Sequence, residues 1–144
     1  MTGAEVTIRK MTGDDVRHIV EIDRHITGKD RATSWPQTVH RYLEMYYPPL
    51  CQIAEAEGRV VGFILGDVRG WEYGLPPGGW IDIMGVDPQF QRRGIGHKLL
   101  QAFAQECRGL NMKTHIVVRR QDESLQRFIQ AAGFQHGQLV DFEL

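Results

Sequence analysis

The chain has 144 residues, 42% of them apolar, enough to bury one core and too few for two comfortable domains. Its formal charge of −1 gives no global basic field of the kind that nonspecific nucleic-acid binding relies on. No apolar run approaches the roughly 20 residues needed to cross a bilayer, and the opening MTGAEVTIRK lacks the apolar stretch of a secretory leader. The expectation is a single cytosolic domain, residues 1–144, with neither nucleic acid nor membrane as partner.

In chain order, Val6 and Ile8 alternate with polar neighbours and predict a half-buried strand. Thr12 and Asp15 stand three apart, as an N-cap and its partner do, ahead of Val16, Ile19, Val20 and Ile26 at helical spacing. Pro36 suits the first turn of a second helix reaching about Tyr47, and Pro48-Pro49 stops it. CQIAEAEGRVVGFILGDV reads as two strands turning at Glu57, Gly58 and Arg59. RGWEYGLPPGG, residues 69–79, is a loop rich in Gly, Pro and aromatics, and WIDIMGV reads as a central strand. Ile95, Leu99, Phe103 and Cys107 recur every fourth residue on a helix that Gly109 ends. KTHIVVR predicts another strand. Leu125, Phe128, Ile129 and Ala132 stripe a last helix closed by Gly133, and FQHGQLVDFEL supplies a short terminal strand or hairpin.

Cys51 and Cys107 are far apart and belong to no CxxC or Cys/His cluster, which reads as two buried thiols rather than a disulfide or zinc site. The six histidines, at 18, 25, 40, 97, 115 and 136, show no ligand spacing, and no metal is expected.

QRRGIG, residues 91–96, joins the WIDIMGV strand to the Ile95 helix. The first N–H groups of a helix lack intrahelical acceptors, and the macrodipole adds about half a positive charge there. Gly94 and Gly96 let a diphosphate approach this turn, while Arg92 and Arg93 add charge at its rim. It is not a P-loop, since no Gly-Lys-Ser/Thr follows, and it lacks the third glycine of a dinucleotide fingerprint. On six residues alone, a tight turn with two solvated arginines explains the pattern equally well.

The wider context decides between them. MGVDPQFQRRGIGHKLLQAF resembles the acetyl-CoA-binding segment of the GNAT superfamily of N-acetyltransferases, and DESLQRFIQAAGF is similar to that superfamily's second segment. The resemblance implies an α/β (α+β) GNAT fold: a mixed, mostly antiparallel sheet with about four helices on both faces, splayed between the strand ending at Val86 and the strand holding Val117. It implies acetyl-CoA as acyl donor. Met84 and Val86 would pair with its pantetheine arm, Gln91 would open the loop, and Arg92, Arg93, Gly94, Ile95, Gly96 and His97 would surround the pyrophosphate mainly through N–H groups. Asp122 stands where the family usually has Asn and would be a further contact to coenzyme A. Gly85 would mark a bulge that helps the splay.

The resemblance also implies acetyl transfer to an amine by direct attack. Where many relatives carry a tyrosine acid this chain has Ile129, and where the ribosomal-protein alanine acetyltransferases carry a glutamate base it has Val117. Asp82, four residues before Val86 and on the face shared with Met84, is the candidate base, with Glu72 and His25 as weaker contenders. A thiol titrates near 8.5, so the leaving group needs little help. A lysine amine is neutral in only about one molecule in 2,500 at pH 7, a deficit of roughly 4.6 kcal/mol, against about 1 kcal/mol for an α-amine. Weak base machinery therefore favours N-terminal or small, weakly basic amines.

Trp35, Trp71, Tyr73 and Trp80, with Asp23, Asp30 and Glu72, would form an aromatic and acidic wall for a cationic amine, while Tyr42, Tyr46 and Tyr47 would bury a helix face. The segment after Phe134 leaves room for strand sharing in a homodimer. The alternatives are an acyl-CoA-binding module of the same fold without turnover, and a nucleotide-binding domain without acyl chemistry.

Overall fold

A computed structural model describes residues 5–29, 34–45 and 48–144. Its strands are β1 (Val6–Lys10), β2 (Gln52–Ala56), β3 (Arg59–Arg69), β4 (Gly78–Val86) and β5 (Thr114–Ile116), and its helices α1 (Val16–Thr27), α2 (Trp35–Arg41), α3 (Ile95–Gly109) and α4 (Glu123–Ala131). The strands lie side by side in numerical order, antiparallel from β1 to β4 and parallel between β4 and β5. This is the mixed sheet expected, with β4 an interior strand between β3 and β5.

The β2–β3 turn follows from two left-handed residues, Glu57 (φ 53°) and Gly58 (φ 73°), the twist a two-residue hairpin needs. β3 is apolar on both faces because both are covered. Val61 and Ile64 pack with Ile95, Leu99, Phe103 and Cys107 of α3, while Phe63 and Leu65 pack with Ile19, Ile22 and Val39 of the first two helices. All four residues of the α3 stripe are buried. Cys51 and Cys107 are buried free thiols, and burial pushes the Cys51 thiol up to about 11 although the Gly66 backbone partly offsets it.

A 3-10 turn over Gly13–Asp15 leads into α1, and Asp15 reaches back to the Thr12 N–H at 2.7 Å. Its carboxylate, 2% exposed, also accepts from both terminal nitrogens of Arg9 at 2.8 and 2.7 Å. Burial pushes this carboxyl up, but the hydrogen bonds from Arg9 and Thr12 together hold it below the ordinary range. A depressed native pKa contributes stability that is present above the unfolded value and lost as pH falls through the native one. The melting temperature is therefore expected to drop steeply below about pH 4. Asp15→Asn should flatten that drop while lowering the melting temperature at pH 7.

Four expected elements differ from the structure, the first being the KTHIVVR strand, which is limited to Thr114–Ile116 and leaves Val117 beyond its end. α2 ends at Arg41 instead of near Tyr47; Tyr46, Tyr47 and Asp30 lie outside the described residues. α3 runs through Gly109, and Asn111 (φ 60°) takes the left-handed position that ends it. Residues 134–144 form no strand, since alternation makes a strand only where a neighbour completes the ladder. Val140 and Phe142 stand exposed, at 72% and 89%.

Candidate functional site

β4 turns one edge to β3 and the other to β5. Asp87 N–H donates to Val61 O at 2.8 Å, and bonded and non-bonded pairs alternate along an antiparallel ladder. Met84 and Val86, opposite Ile64 and Gly62, therefore turn their N–H and C=O groups to the other edge. β5 pairs with that edge only from Gly79 to Ile81, so the groups of Met84 and Val86 face an opening between the two strands. Gln91 Nε2 donates to Val86 O at 3.0 Å and ties the following loop to the strand end.

That loop curls through two left-handed residues, Arg92 (φ 66°) and Gly94 (φ 78°), a geometry that gathers successive N–H groups into a concavity. No side chain caps α3. Its first bond runs from Lys98 N–H to Gly94 O at 3.1 Å, so the amides of Ile95, Gly96 and His97 have no intrahelical acceptor. A Cβ on Gly96 would stand 3.5 Å from Phe128 Cζ and 3.9 Å from both Met84 Cε and Val86 Cγ2, which shows turn, β4 and α4 converging on one opening. The Ile95 side chain is buried and His97 is exposed. Arg93 is drawn aside, its guanidinium 4.9 Å from the Phe90 ring centroid and 3.9 Å from Glu57 Oε2, whereas Arg92 is exposed.

On β4 the register with β3 steps from Leu65–Ile83 to Gly66–Ile81. Asp82 is the extra residue, so the bulge falls there and not at Gly85. Gly85 instead lets Phe63 and Ile26 close in, since its Cβ would stand 3.0 and 2.8 Å from them. The bulge shifts the alternation by one. Asp82 therefore lies on the face of the first two helices, opposite Met84, which packs on the α3 side; the expected shared face is corrected accordingly.

Asp82 accepts from Arg69 through both oxygens, at 2.7 and 2.5 Å, and from Tyr42 OH at 2.7 Å. Three of its roughly four acceptor positions are thus taken. The hydrogen bonds to Asp82 raise the Arg69 pKa despite burial, and burial followed by the bond to Asp82 raises that of Tyr42. Tyr42 is buried as expected, at 7% exposed, but at the cap just past α2 rather than on a helix face, and its hydroxyl contact is not legible in the sequence. Trp80 shares this face, its ring centroid 5.3 Å from that of Tyr73 and 4.5 Å from that of His115.

Other sequence candidates fall elsewhere. His25 Nδ1 lies 3.5 Å from Asp87 Oδ2. Glu72 accepts from the Gly70 N–H at 2.9 Å. Asp23 is buried and Trp71 is 74% exposed. Asp122 caps α4, accepting from Leu125 N–H at 3.1 Å. Ile129 is buried and Val117 is 73% exposed. Among the described residues no three His, Cys, Asp or Glu side chains are grouped to hold an ion, and no helix is long and apolar enough to cross a membrane.

Comparison with known proteins identifies the family and the fold. A family model described as the Acetyltransferase (GNAT) family matches residues 17–134. An uncharacterised N-acetyltransferase of Methanocaldococcus jannaschii is 29% identical over 110 residues, 76% of this chain and 53% of the relative. The chain thus spans about half the length of that curated relative. Among solved structures, the aminoglycoside N-acetyltransferase AAC(6')-Iy in complex with CoA superposes with a TM-score of 0.82 at 19% identity, covering 99% of this chain and 96% of the other. Ard1 from Thermoplasma volcanium superposes with a TM-score of 0.76 at 25% identity, covering 90% and 82%.

Proposed function

The chain belongs to the GNAT family of acetyltransferases, and from that premise we propose that it transfers an acetyl group from acetyl-CoA to a primary amine by direct attack. The observation that carries this reading is the meeting of an unpaired β4 edge at Met84 and Val86 with an uncapped, left-handed turn at the start of α3. One feature offers alternating donors and acceptors to an amide-bearing arm; the other offers N–H groups and a helix dipole to phosphates. Met84 and Val86 would hold the pantetheine. Amides from Arg92 to His97, with the Arg92 charge, would hold the pyrophosphate, and Gln91 would keep the loop tied to β4. Asp122 would reach coenzyme A only by way of its helix cap.

Acetyl-CoA supplies an activated thioester carbonyl. A main-chain N–H near Val86 is proposed to donate to the carbonyl oxygen as charge builds there. The acceptor would enter from the face bearing Tyr42, Arg69, Trp80 and Asp82. With most of its acceptor capacity taken by Arg69 and Tyr42, Asp82 is assigned to holding that pair in place for the amine, with one lone-pair position left for an ammonium or water. Asp82→Asn is expected to lower kcat about tenfold, since the amide keeps the shape but loses the charge that Arg69 and a cationic acceptor require, a loss of about 1.4 kcal/mol. Its acetyl-CoA affinity should be unchanged by calorimetry.

Thiol release from acetyl-CoA against a panel of peptides, polyamines, aminoglycosides and small amines tests the reading. Structural neighbours include aminoglycoside acetyltransferases, which justifies that breadth. Ile129 and Val117, where relatives keep an acid and a base, favour one rival: a module that binds acyl-CoA without turnover. Tight binding of acetyl-CoA with no thiol release across the panel would establish that rival instead.

A further inference from the structure

Ile116 packs with the core on the α3 side, so its neighbour His115 projects to the opposite face of the sheet, the one that bears Asp82 and Tyr42. His115 and Trp80 are register partners, one rung before the β4–β5 ladder ends and the opening begins. Their rings stack, with 4.5 Å between centroids and 11° between planes. From below, a Cβ on Gly78 would stand 2.9 Å from His115 Cδ2 and 3.0 Å from Nε2. The imidazole is thus held by Trp80 and by the Gly78 backbone, yet among the described residues it makes no hydrogen bond or ion pair. Most of the polar groups around it are engaged. Asp82 holds Arg69 and Tyr42, Glu72 closes its own turn and Tyr73 lies against Trp80, while Asp67, opposite Trp80, keeps a buried Oδ1 that has no hydrogen-bond partner among the described residues. Lys113 stands two residues before His115, just ahead of β5.

We propose that His115 is the proton acceptor for the incoming amine, an inference that rests on the acetyltransferase reading above. One proton passes from the ammonium to an imidazole nitrogen, directly or through one water. The freed nitrogen pair then forms the C–N bond at the thioester carbonyl carbon, and the C–S pair leaves on sulfur. The surplus nitrogen proton goes to that thiolate, and the imidazolium returns its proton to solvent. Burial first, and the Lys113 charge second, hold the imidazole below its ordinary 6.5, so the ring is neutral at pH 7 and able to accept.

The test compares wild type with His115→Gln and His115→Phe, the latter keeping the stack on Trp80, using an amine that turns over in the panel. At pH 7, kcat should fall about 10- to 100-fold in both variants, with the melting temperature and the calorimetric affinity for coenzyme A unchanged. The deficit should shrink as pH approaches the amine's own pKa, and shrink likewise with amines already neutral at pH 7. In wild type the His115 ring signal should titrate below 6.5 by NMR and shift when the amine joins the coenzyme A complex. Unchanged rates, or a deficit of equal size at every pH and for every amine, would overturn the proposal and leave His115 as packing for Trp80. A wild type that releases no thiol with any amine would instead sink the acetyltransferase reading, and this inference with it.

Discussion

Gly94→Val is expected to weaken acetyl-CoA binding by at least about 30-fold while moving the melting temperature by only a few degrees. Gly94 sits at φ 78°, and a Cβ there meets no atom within 4 Å, so the substitution breaks no packing. What it breaks is the backbone. A β-branched residue in the left-handed region costs about 1–3 kcal/mol, and the loop relieves that cost by rotating out of it. Rotation scatters the N–H groups of Arg92 to His97, and a branched side chain then occupies the approach to them. A loss of about 2 kcal/mol corresponds to the 30-fold effect. Gly96→Ala, at ordinary contact distances from Phe128 and Met84, should be milder. Calorimetric titration with coenzyme A checks both; a valine variant that binds as tightly as wild type would remove the turn from the binding site.

Gly66→Ala should cost about 3 kcal/mol, roughly 10 °C in melting temperature for a chain of this size. The added Cβ would overlap the Trp80 carbonyl oxygen and stand 2.6 and 2.8 Å from Phe103 Cζ and Cε2. Neither neighbour yields easily. One is backbone in the middle of the sheet, and the other is a fully buried ring of α3. Gly66 also faces Ile81 where the register steps, so any relaxation displaces the bulge that carries Asp82 to Tyr42 and Arg69. Turnover should fall with stability, and more than the same loss of stability on β1 would produce. Thermal melts and thiol release on one preparation test this; an alanine variant with wild-type melting would show that the bulge has slack the geometry does not suggest.

The legible parts of the fold were those encoded by local chemistry. Period-four spacing placed α3, the Thr12–Asp15 pair marked the entry to α1, and Glu57-Gly58 marked the hairpin. The turn at 91–96 was legible because a helix start after a strand, with glycines at fixed offsets, is a local geometric requirement. Less legible was anything that depends on a partner remote in sequence. The strand expected after Phe134 lacks a neighbour, and the bulge at Asp82 is invisible because one inserted residue leaves the apolar pattern of WIDIMGV intact while turning Asp82 to the other face. His115 carried no signal at all: a lone histidine in KTHIVVR acquires meaning only when β5 is laid beside Trp80.

By itself, then, the order of residues determined the family, the element sequence and the glycine-bearing turn at the start of α3, since each depends on neighbours within a few positions along the chain. The tertiary structure alone decided which side chains gather on the sheet face beside Trp80 and which of them are hydrogen-bonded there. Asp82, Arg69, Tyr42 and His115 come from four separate segments, and the hydrogen bonds of the first three and the stacking of His115 on Trp80 are set by strand register and a single bulge.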